Sequence, residues 1–312
     1  MLPKAVYDFR LAPLTFDFVT FLALAKLYFA VQKYENFELV LVRPFFRNVS
    51  HYELAVKESN TQNIRFDNIV MQSCTLIDSI KNLLVVKDVR SIGNINAHFP
   101  PKFKIVEELD EKNIPGLTQI PCNFIFFEQF KEFGHKPILF QSDVTEQKYD
   151  FNLITLSLRE SPQKPERASN FNVWFGVYNR LKNDGYKVIV IPDHDDFLGE
   201  KKYRNFNWDV DEYAAVSFRQ RLRLYGRSML NVASPAGWNL LLIFSNYNFL
   251  IPGYLDSRFP TSNFDIFNRK GPKVNSQPFW FNRNQKIDWT EWKDLSEDVL
   301  HGLITDCLNE KN

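Results

Sequence analysis

Short apolar runs that stop at a proline recur in this chain, and each follows a segment with helical spacing. Residues 37–42 read Phe-Glu-Leu-Val-Leu-Val ahead of Pro44, and residues 186–191 read Tyr-Lys-Val-Ile-Val-Ile ahead of Pro192. Runs of this length and composition are typical of parallel strands that are buried on both faces. Another apolar run precedes each helical segment, which completes a strand, helix and strand crossover unit. The sequence therefore predicts an α/β fold built on parallel sheets.

The first crossover unit lies in the N-terminal part of the chain. A strand is predicted at residues 5–12, and a long helix at 16–31 follows Pro13, with Thr15 as its N-cap. Further strands are expected at residues 69–71 and 83–87, and residues 124–133 fit either a helix or a strand.

The second crossover unit begins after residue 150. It comprises a strand at 153–158, a helix at 170–182 and the apolar strand at 186–191. A helix at 211–230 is expected next, and then a helix at 238–245 and a strand at 249–251, although the reverse order of these two also fits. Residues 253–285 are expected to form an ordered loop region. A C-terminal helix is predicted from the spacing of Trp289, Trp292, Leu295, Val299 and Leu303.

A polar stretch at residues 142–150 shows no apolar period and is expected to connect two halves. The 312 residues correspond to about two domains of ~150 residues each. We predict an N-terminal α/β domain at 1–145 and a C-terminal α/β domain at 146–312, with the last helix packing back on the first half.

Charge and cysteine content narrow the class of protein. The chain has 38 basic and 37 acidic residues, so no global field attracts nucleic acid. Cys74, Cys122 and Cys307 lack metal-ligand spacing and are expected to be reduced. The early apolar segment at 18–31 is shorter than the ~20 residues of a spanning helix. We expect a soluble cytoplasmic protein with no transmembrane segment, although peripheral membrane contact stays open.

The loop after the predicted strand 153–158 concentrates groups that bind anions. Arg159 and Arg167 flank a lysine, and Ser169 and Asn170 stand where a helix begins. In open parallel sheets, ligands bind beyond the carboxyl ends of the strands, and helix N-termini there hold phosphates. The loop is a candidate diphosphate site. The alternative is a solvated loop whose arginines pair with Glu160 and Glu166.

Two further polar segments, at 193–195 and 234–239, are candidates for binding a substrate. Asp193, His194 and Asp195 come directly after Pro192, where they are suited to bind a sugar or ribose hydroxyl or to act as a base. Ser234, Gly237 and Asn239 form a turn of small and polar residues before an apolar run, which suits a sugar nucleotide or a plain helix cap. The Asp-x-Asp pattern at 193–195 is also seen in metal-dependent sugar transferases, but it lies late in the chain, and no metal is predicted.

Several catalytic motifs are missing from the sequence. It has no Gly-x-x-x-x-Gly-Lys-Ser/Thr loop, no Gly-x-Gly-x-x-Gly, no Gly-x-Ser-x-Gly and no His-Glu-x-x-His. The absence of these motifs argues against four classes of enzyme: kinases, dehydrogenases, serine hydrolases and zinc proteases. A cluster of arginines at 219–227 is expected to form a solvated helix face, and the alternative is a cluster that neutralises an anionic substrate.

Residues 154–160, 167–170 and Trp174, together with 185–193, resemble the donor half of bacterial sugar transferases of the GT-B architecture. The opening Tyr7-Asp8-Phe9-Arg10 and Thr15-Phe16-Asp17-Phe18 resemble the N-terminus of members found with surface-polysaccharide genes. The resemblance implies two Rossmann-like domains, an acceptor site in the first half, a nucleotide-sugar site in the second, and no required metal. Asp8, Asp17 and His51 are candidates for a base by location.

The leading hypothesis is transfer of a sugar from a nucleotide diphosphate donor to a glycan or lipid-linked acceptor in surface polysaccharide synthesis. Arg159, Arg167 and His194 are the predicted catalytic residues. The predicted substrate-binding residues are Ser169, Asn170, Asp193, Asp195, Ser234, Gly237 and Asn239. No cofactor is expected. The alternatives are a nucleotide-sugar epimerase and a non-catalytic nucleotide- or carbohydrate-binding module.

Overall fold

The computed structural model describes residues 2–43, 59–92, 98–101, 124–140, 149–160, 165–259, 262–265, 267 and 273–310. The chain divides into two compact units, Met1–Leu139 and Phe140–Asn312. The predicted domain boundary between residues 145 and 146 falls outside the described residues, as does His51.

The first unit contains a parallel sheet with the strand order β3-β2-β1-β4. Its elements in chain order are β1 (Lys4–Asp8), α1 (Asp17–Val31), β2 (Phe37–Val42), α2 (Ser59–Arg65), a π-helical segment (Phe66–Met71), α3 (Gln72–Thr75), β3 (Ile80–Val86), a 3₁₀ helix (Val89–Ile92), β4 (His98–Phe99) and a 3₁₀ helix (Phe124–Phe133).

Helix α1 is buried on most of its surface, as its apolar sequence predicts. Tyr7 of β1 contacts Phe18 and Phe21 of α1 edge to face, with ring centroids 4.9 Å apart in both pairs. Edge-to-face packing of this kind is the favoured arrangement of aromatic rings. The contacts fix the helix on the sheet and so place its N-terminus near the carboxyl end of β1.

Three local predictions in the first unit need correction. Strand β1 ends at Asp8 because the amides of Leu11 and Ala12 both turn back to the Asp8 carbonyl. Thr15 is not the N-cap residue: its Oγ1 accepts from the Asp17 amide at 3.3 Å, and the helix starts at Asp17. The strand predicted at 69–71 is wrong, since the run lies in the π-helical segment; a short apolar run alone does not separate a strand from a buried helix.

The second unit contains a parallel sheet with the order β6-β5-β7-β8-β9. Its principal elements are β5 (Asp150–Ser157), α4 (Phe171–Asn183), β6 (Lys187–Ile191), α5 (His194–Leu198), α6 (Phe218–Arg227), β7 (Ser228–Ala233), α7 (Leu240–Ile243), β8 (Phe249–Ile251), β9 (Gln285–Ile287) and α8 (Glu297–Asn309). Short 3₁₀ helices lie at Pro165–Arg167, Lys202–Asn205, Tyr213–Ala215, Gly237–Asn239 and Trp292–Asp294. The prediction of an α/β fold with parallel sheets is confirmed.

The helix predicted at 211–230 is wrong at both ends. Helix α6 begins at Phe218, where Ser217 caps it, and ends at Arg227. Residues 228–233 instead form β7, which pairs with both β5 and β8. Sheet pairing therefore decides the structure of an apolar segment that also fits the helical pattern.

The C-terminal helix also begins later than predicted. Trp289 and Trp292 precede it, and Ser296 caps α8 through the amide of Val299. Leu300 and Ile304 are fully buried in the core of the second unit together with Trp174 and Leu181 of α4. Packing of this helix on the first half stays a prediction.

Strand β5 lies between β6 and β7, which identifies the topological switch point of the second sheet. The chain leaves β5 for β6 on one side and then crosses to β7 on the other. Loops that leave the carboxyl ends of two such strands diverge and open a crevice, where ligands of doubly wound folds bind.

Candidate functional site

The loops that follow β5 and β7 are joined by hydrogen bonds at the switch point. Ser169 Oγ lies 2.7 Å from Ser234 Oγ and accepts from the Arg159 amide at 2.8 Å. The Arg159 guanidinium donates to the Pro235 carbonyl, and the Ser169 amide donates to the Arg159 carbonyl at 2.8 Å. Three predicted site residues, Arg159, Ser169 and Ser234, are thus brought together.

Helix α4 directs its N-terminus to the same edge of the sheet. Asn170 is exposed and caps the helix, with its Oδ1 accepting from the Asn172 amide at 3.2 Å. The dipole of this 13-residue helix favours negative charge at that end.

Arg167 lies on the far side of the same loop. Its guanidinium carbon is 4.6 Å from the centre of the Phe259 ring, a cation–π contact. Nearby, burial raises the pKa of Asp256, but hydrogen bonds from Arg258 outweigh this effect and hold that pKa below its usual range; the charge of Arg167 adds to the lowering. Arg167 therefore lies between an aromatic ring and the Asp256 carboxylate, whose ionised form its charge favours.

A cavity of about 240 Å³ lies against the Arg167 side of the loop. Its lining combines tryptophan rings, cationic side chains and the N-terminus of α4: Glu166, Ala168, Asn170, Val173, Trp174, Arg258, Trp292, Lys293 and Leu295. Asn170 is the one predicted site residue in this lining, which does not include Arg159, Arg167, Ser169 or Ser234.

The Asp193 to Asp196 segment folds inward at the carboxyl end of β6. Asp193 caps the short helix α5 by accepting from the Asp195 amide at 2.9 Å, and His194 is 4% exposed with its Nδ1 3.3 Å from Asp195 Oδ1. Burial raises the pKa of Asp193 to about 6, and the charge of Asp195 adds to the rise. The cluster is positioned by its own hydrogen bonds and lies largely below the surface.

Glu160 is paired differently from the alternative that the sequence left open. This buried carboxylate accepts from Lys202 Nζ at 2.9 Å, so its ion-pair partner is a lysine of the 202–205 turn. The pair ties that turn to the end of β5.

Gly237 and Asn239 belong to the 3₁₀ turn after β7. Asn239 is 2% exposed, and its Nδ2 has no hydrogen-bond partner among the described residues. A buried donor without a partner costs about 1–3 kcal/mol. The turn therefore contains a buried hydrogen-bond donor that the described residues leave without an acceptor.

Arg221 is the site residue that sequence reasoning missed. Arg219, Arg223 and Arg227 are exposed, as expected for a solvated face, but Arg221 is fully buried. The signal was present in the spacing, because Arg221 shares the helix face of Phe218, Leu222 and Tyr225, all of which are buried.

The first unit has its own polar group at the carboxyl end of β1. Both carboxylate oxygens of Asp8 accept from Arg10, with Arg10 Nη2 2.7 Å from Asp8 Oδ2. Asp17 is half-buried in the first turn of α1, where its carboxylate accepts from Thr15 Oγ1 at 2.8 Å. Both candidate bases in the described residues therefore have hydrogen-bond donors, the Arg10 guanidinium at Asp8 and the Thr15 hydroxyl at Asp17.

Comparisons with known proteins show the fold. No protein-family model matches this chain, and no curated protein does. A glycosyl transferase of family 9 from Veillonella parvula DSM 2008 has 12% identity and a TM-score of 0.51, over 98% of this chain and 97% of its own. The dodecameric iron-containing heptosyltransferase TibC from enterotoxigenic E. coli, solved with ADP-D-beta-D-heptose, has 12% identity and a TM-score of 0.50, over 100% and 77%. The chain shares the α/β fold of these proteins.

Two searches within the described ranges gave negative results. No group of three or more His, Cys, Asp or Glu residues there is placed to hold a metal ion. Among the same residues, no helix is both long enough and apolar enough to cross a membrane.

Proposed function

We propose that this protein transfers a sugar from a nucleotide-diphosphate sugar to a glycan or lipid-linked acceptor in surface polysaccharide synthesis. The observation that carries the proposal is the junction of Arg159, Ser169 and Ser234 at the switch point of the second sheet. One guanidinium, two hydroxyls and a helix N-terminus meet there, and such a combination binds phosphate groups. Two proteins of this fold are a family 9 glycosyl transferase and a heptosyltransferase solved with a nucleotide sugar, which supports the same class of reaction.

The two units have separate roles in this proposal. The second domain, from residue 146, binds the nucleotide sugar, and the first, up to residue 145, binds the acceptor. Both would be Rossmann-like domains of the GT-B architecture.

Arg159 and Arg167 stabilise the leaving diphosphate. Negative charge grows on the diphosphate as the sugar leaves, so fixed cations lower the energy of the transition state more than that of the bound donor. Arg159 is held by the Pro235 carbonyl and Arg167 by the Phe259 ring. Asn170, Ser169 and Ser234 provide hydrogen bonds at the same edge.

The remaining predicted residues recognise hydroxyl groups. Asp193, His194 and Asp195 lie at the end of β6, and Gly237 and Asn239 lie in the turn after β7. In the proposal they bind ribose or sugar hydroxyls. In the first unit, Asp17, in the first turn of α1, accepts the proton of the acceptor hydroxyl.

An Arg159→Ala variant tests the donor site. We expect the affinity for ADP or UDP, measured by titration calorimetry, to fall at least tenfold, because a charge-assisted contact to the diphosphate is worth about 1.5–3 kcal/mol. Arg219→Ala is the matched control, as it removes an exposed arginine from the same unit. Equal affinity in the wild type and Arg159→Ala would remove Arg159 from the site.

A non-catalytic nucleotide- or carbohydrate-binding module is the second candidate. It is favoured by the burial of His194 and by the engagement of Asp8 with Arg10. Nucleotide-sugar binding without release of nucleoside diphosphate in the presence of acceptor would support the module.

A further inference from the structure

Arg221 contacts the loops that follow β6 and β7 in the candidate site. Its guanidinium donates to the Pro192 carbonyl at 3.2 Å, directly after β6, and to the Ala214 carbonyl at 2.8 Å. Its guanidinium carbon lies 3.9 Å from the centre of the Trp238 ring, in the turn after β7. A single side chain of α6 therefore positions the segments that contain Asp193 and Asn239.

The charge of Arg221 is buried without an ion pair. Its hydrogen-bond partners are two backbone carbonyls and the Tyr225 hydroxyl, and no carboxylate of the described residues lies within ion-pair distance. Asp193 is near enough for the charge of Arg221 to favour its ionised form. The positive charge is thus solvated by neutral groups and only partly balanced.

Such an arrangement is costly for the empty protein. Moving a cation out of water carries a penalty of several kcal/mol, and well-packed apolar residues often replace buried charges at no loss of stability. A methionine or leucine would continue the apolar face of Phe218, Leu222 and Tyr225. The cation therefore has a use that packing does not supply.

We propose that Arg221 is a positioning residue of the donor site, whose buried cation orders the loops after β6 and β7 and favours a diphosphate at the sheet edge. It acts through Trp238 and through its electric field, not by contact with the ligand. In a site with low dielectric, a fixed charge acts over several ångströms. The inference rests on the proposed function, because it names the charge that prepares that same site.

Two kinds of ligand separate the effect of the charge from a merely structural effect. Arg221→Met keeps the approximate shape of the side chain and removes the charge. We expect it to weaken ADP and UDP binding at least tenfold in calorimetry, and adenosine and uridine binding by a smaller factor, because the loops that Arg221 orders also contact the ribose while the charge acts on the diphosphate alone. Arg223→Met, exposed two residues away on the same helix, is the matched control and should change diphosphate affinity less than twofold.

If Arg221→Met does not fold, a second variant tests the effect of the Arg221 charge. Asp193→Asn removes the carboxylate that offsets Arg221, and Asn keeps an oxygen to cap α5. We expect it to bind inorganic pyrophosphate at least threefold more tightly, a probe that has no ribose or sugar for residue 193 to contact.

The outcomes distinguish this inference from the proposed function. A wild-type protein that binds none of these diphosphates overturns both. Diphosphate binding by the wild type with equal loss of diphosphate and nucleoside affinity in Arg221→Met, or with no loss of either, overturns the role of Arg221 alone. Unchanged or weaker pyrophosphate binding by Asp193→Asn also counts against it.

Discussion

At the scale of single residues, the carboxyl end of β6 contains a buried carboxylate that lowers the stability of the folded protein. Asp193 is 7% exposed, and its burial raises its pKa to about 6 from an ordinary value of 3.8. The folded protein therefore holds a carboxylate that would be better solvated in the unfolded chain. Shifted pKa values of this kind are frequent at sites that bind ligands.

Asp193→Asn is expected to stabilise the protein at neutral pH. Between pH 3.8 and 6, the folded state binds more protons than the unfolded state, so the free energy of unfolding falls as pH rises through this window. The penalty is complete above about pH 6 and amounts to roughly 2–3 kcal/mol. Urea unfolding should show the variant more stable than the wild type by that order at pH 7.5 and by little at pH 4.

Glu132→Gln serves as the control for this comparison. Glu132 is exposed, and removal of its charge should leave the difference between the two pH values unchanged. If Asp193→Asn gave the same stability change at pH 4 and pH 7.5, burial of an ionised Asp193 would not be the cause.

At the scale of elements, β7 joins β5 to β8 in the second sheet, although its sequence also fits the helical pattern of α6. Asn231 is fully buried in this strand, where its Oδ1 accepts from Thr155 Oγ1 of β5 at 2.6 Å. Its Nδ2 donates to the carbonyls of Tyr225 and Asn248. One amide thus joins β5, the end of α6 and the start of β8.

Asn231→Leu is expected to destabilise the protein by about 2–4 kcal/mol. The substitution leaves the buried Thr155 hydroxyl without its acceptor, which costs about 1–3 kcal/mol. Two further hydrogen bonds are lost, at about 0.5–1.5 kcal/mol each, although the carbonyls of Tyr225 and Asn248 keep the backbone amides of Ser228 and Asn231 as donors. The measurement is the free energy of unfolding in urea. Asn172→Leu on the exposed surface of α4 is the control, with an expected change below about 0.5 kcal/mol.

The sequence shows where strands and helices alternate but not which strand pairs with which. The strands at 37–42 and 187–191 are predictable because a proline closes each run and burial on both faces demands apolar residues. Strand β7 is not, since Met229 to Val232 continue the apolar pattern of α6 and only pairing with β5 and β8 makes them a strand. Likewise, Arg159, Ser169 and Ser234 were each predicted, whereas the role of Arg221 depends on the tertiary position of Trp238.

At the scale of the whole molecule, the proposal assigns donor binding to one compact unit and proton transfer to the other. The first unit extends to Leu139 and contains Asp17, and the second begins at Phe140 and contains Arg159. Nucleotide affinity and turnover should therefore respond separately to substitutions in the two units.

Asp17→Asn tests this division. We expect turnover, measured as release of nucleoside diphosphate from the donor that the wild type uses, to fall by at least 100-fold, since a general base contributes about 10²–10⁴-fold. ADP or UDP affinity should stay within twofold, because Asp17 lies outside the donor unit. Asp67→Asn, an exposed carboxylate of the same unit, should change neither quantity. A variant that lost nucleotide affinity along with turnover would place Asp17 in donor binding, and one that kept full turnover would require another base.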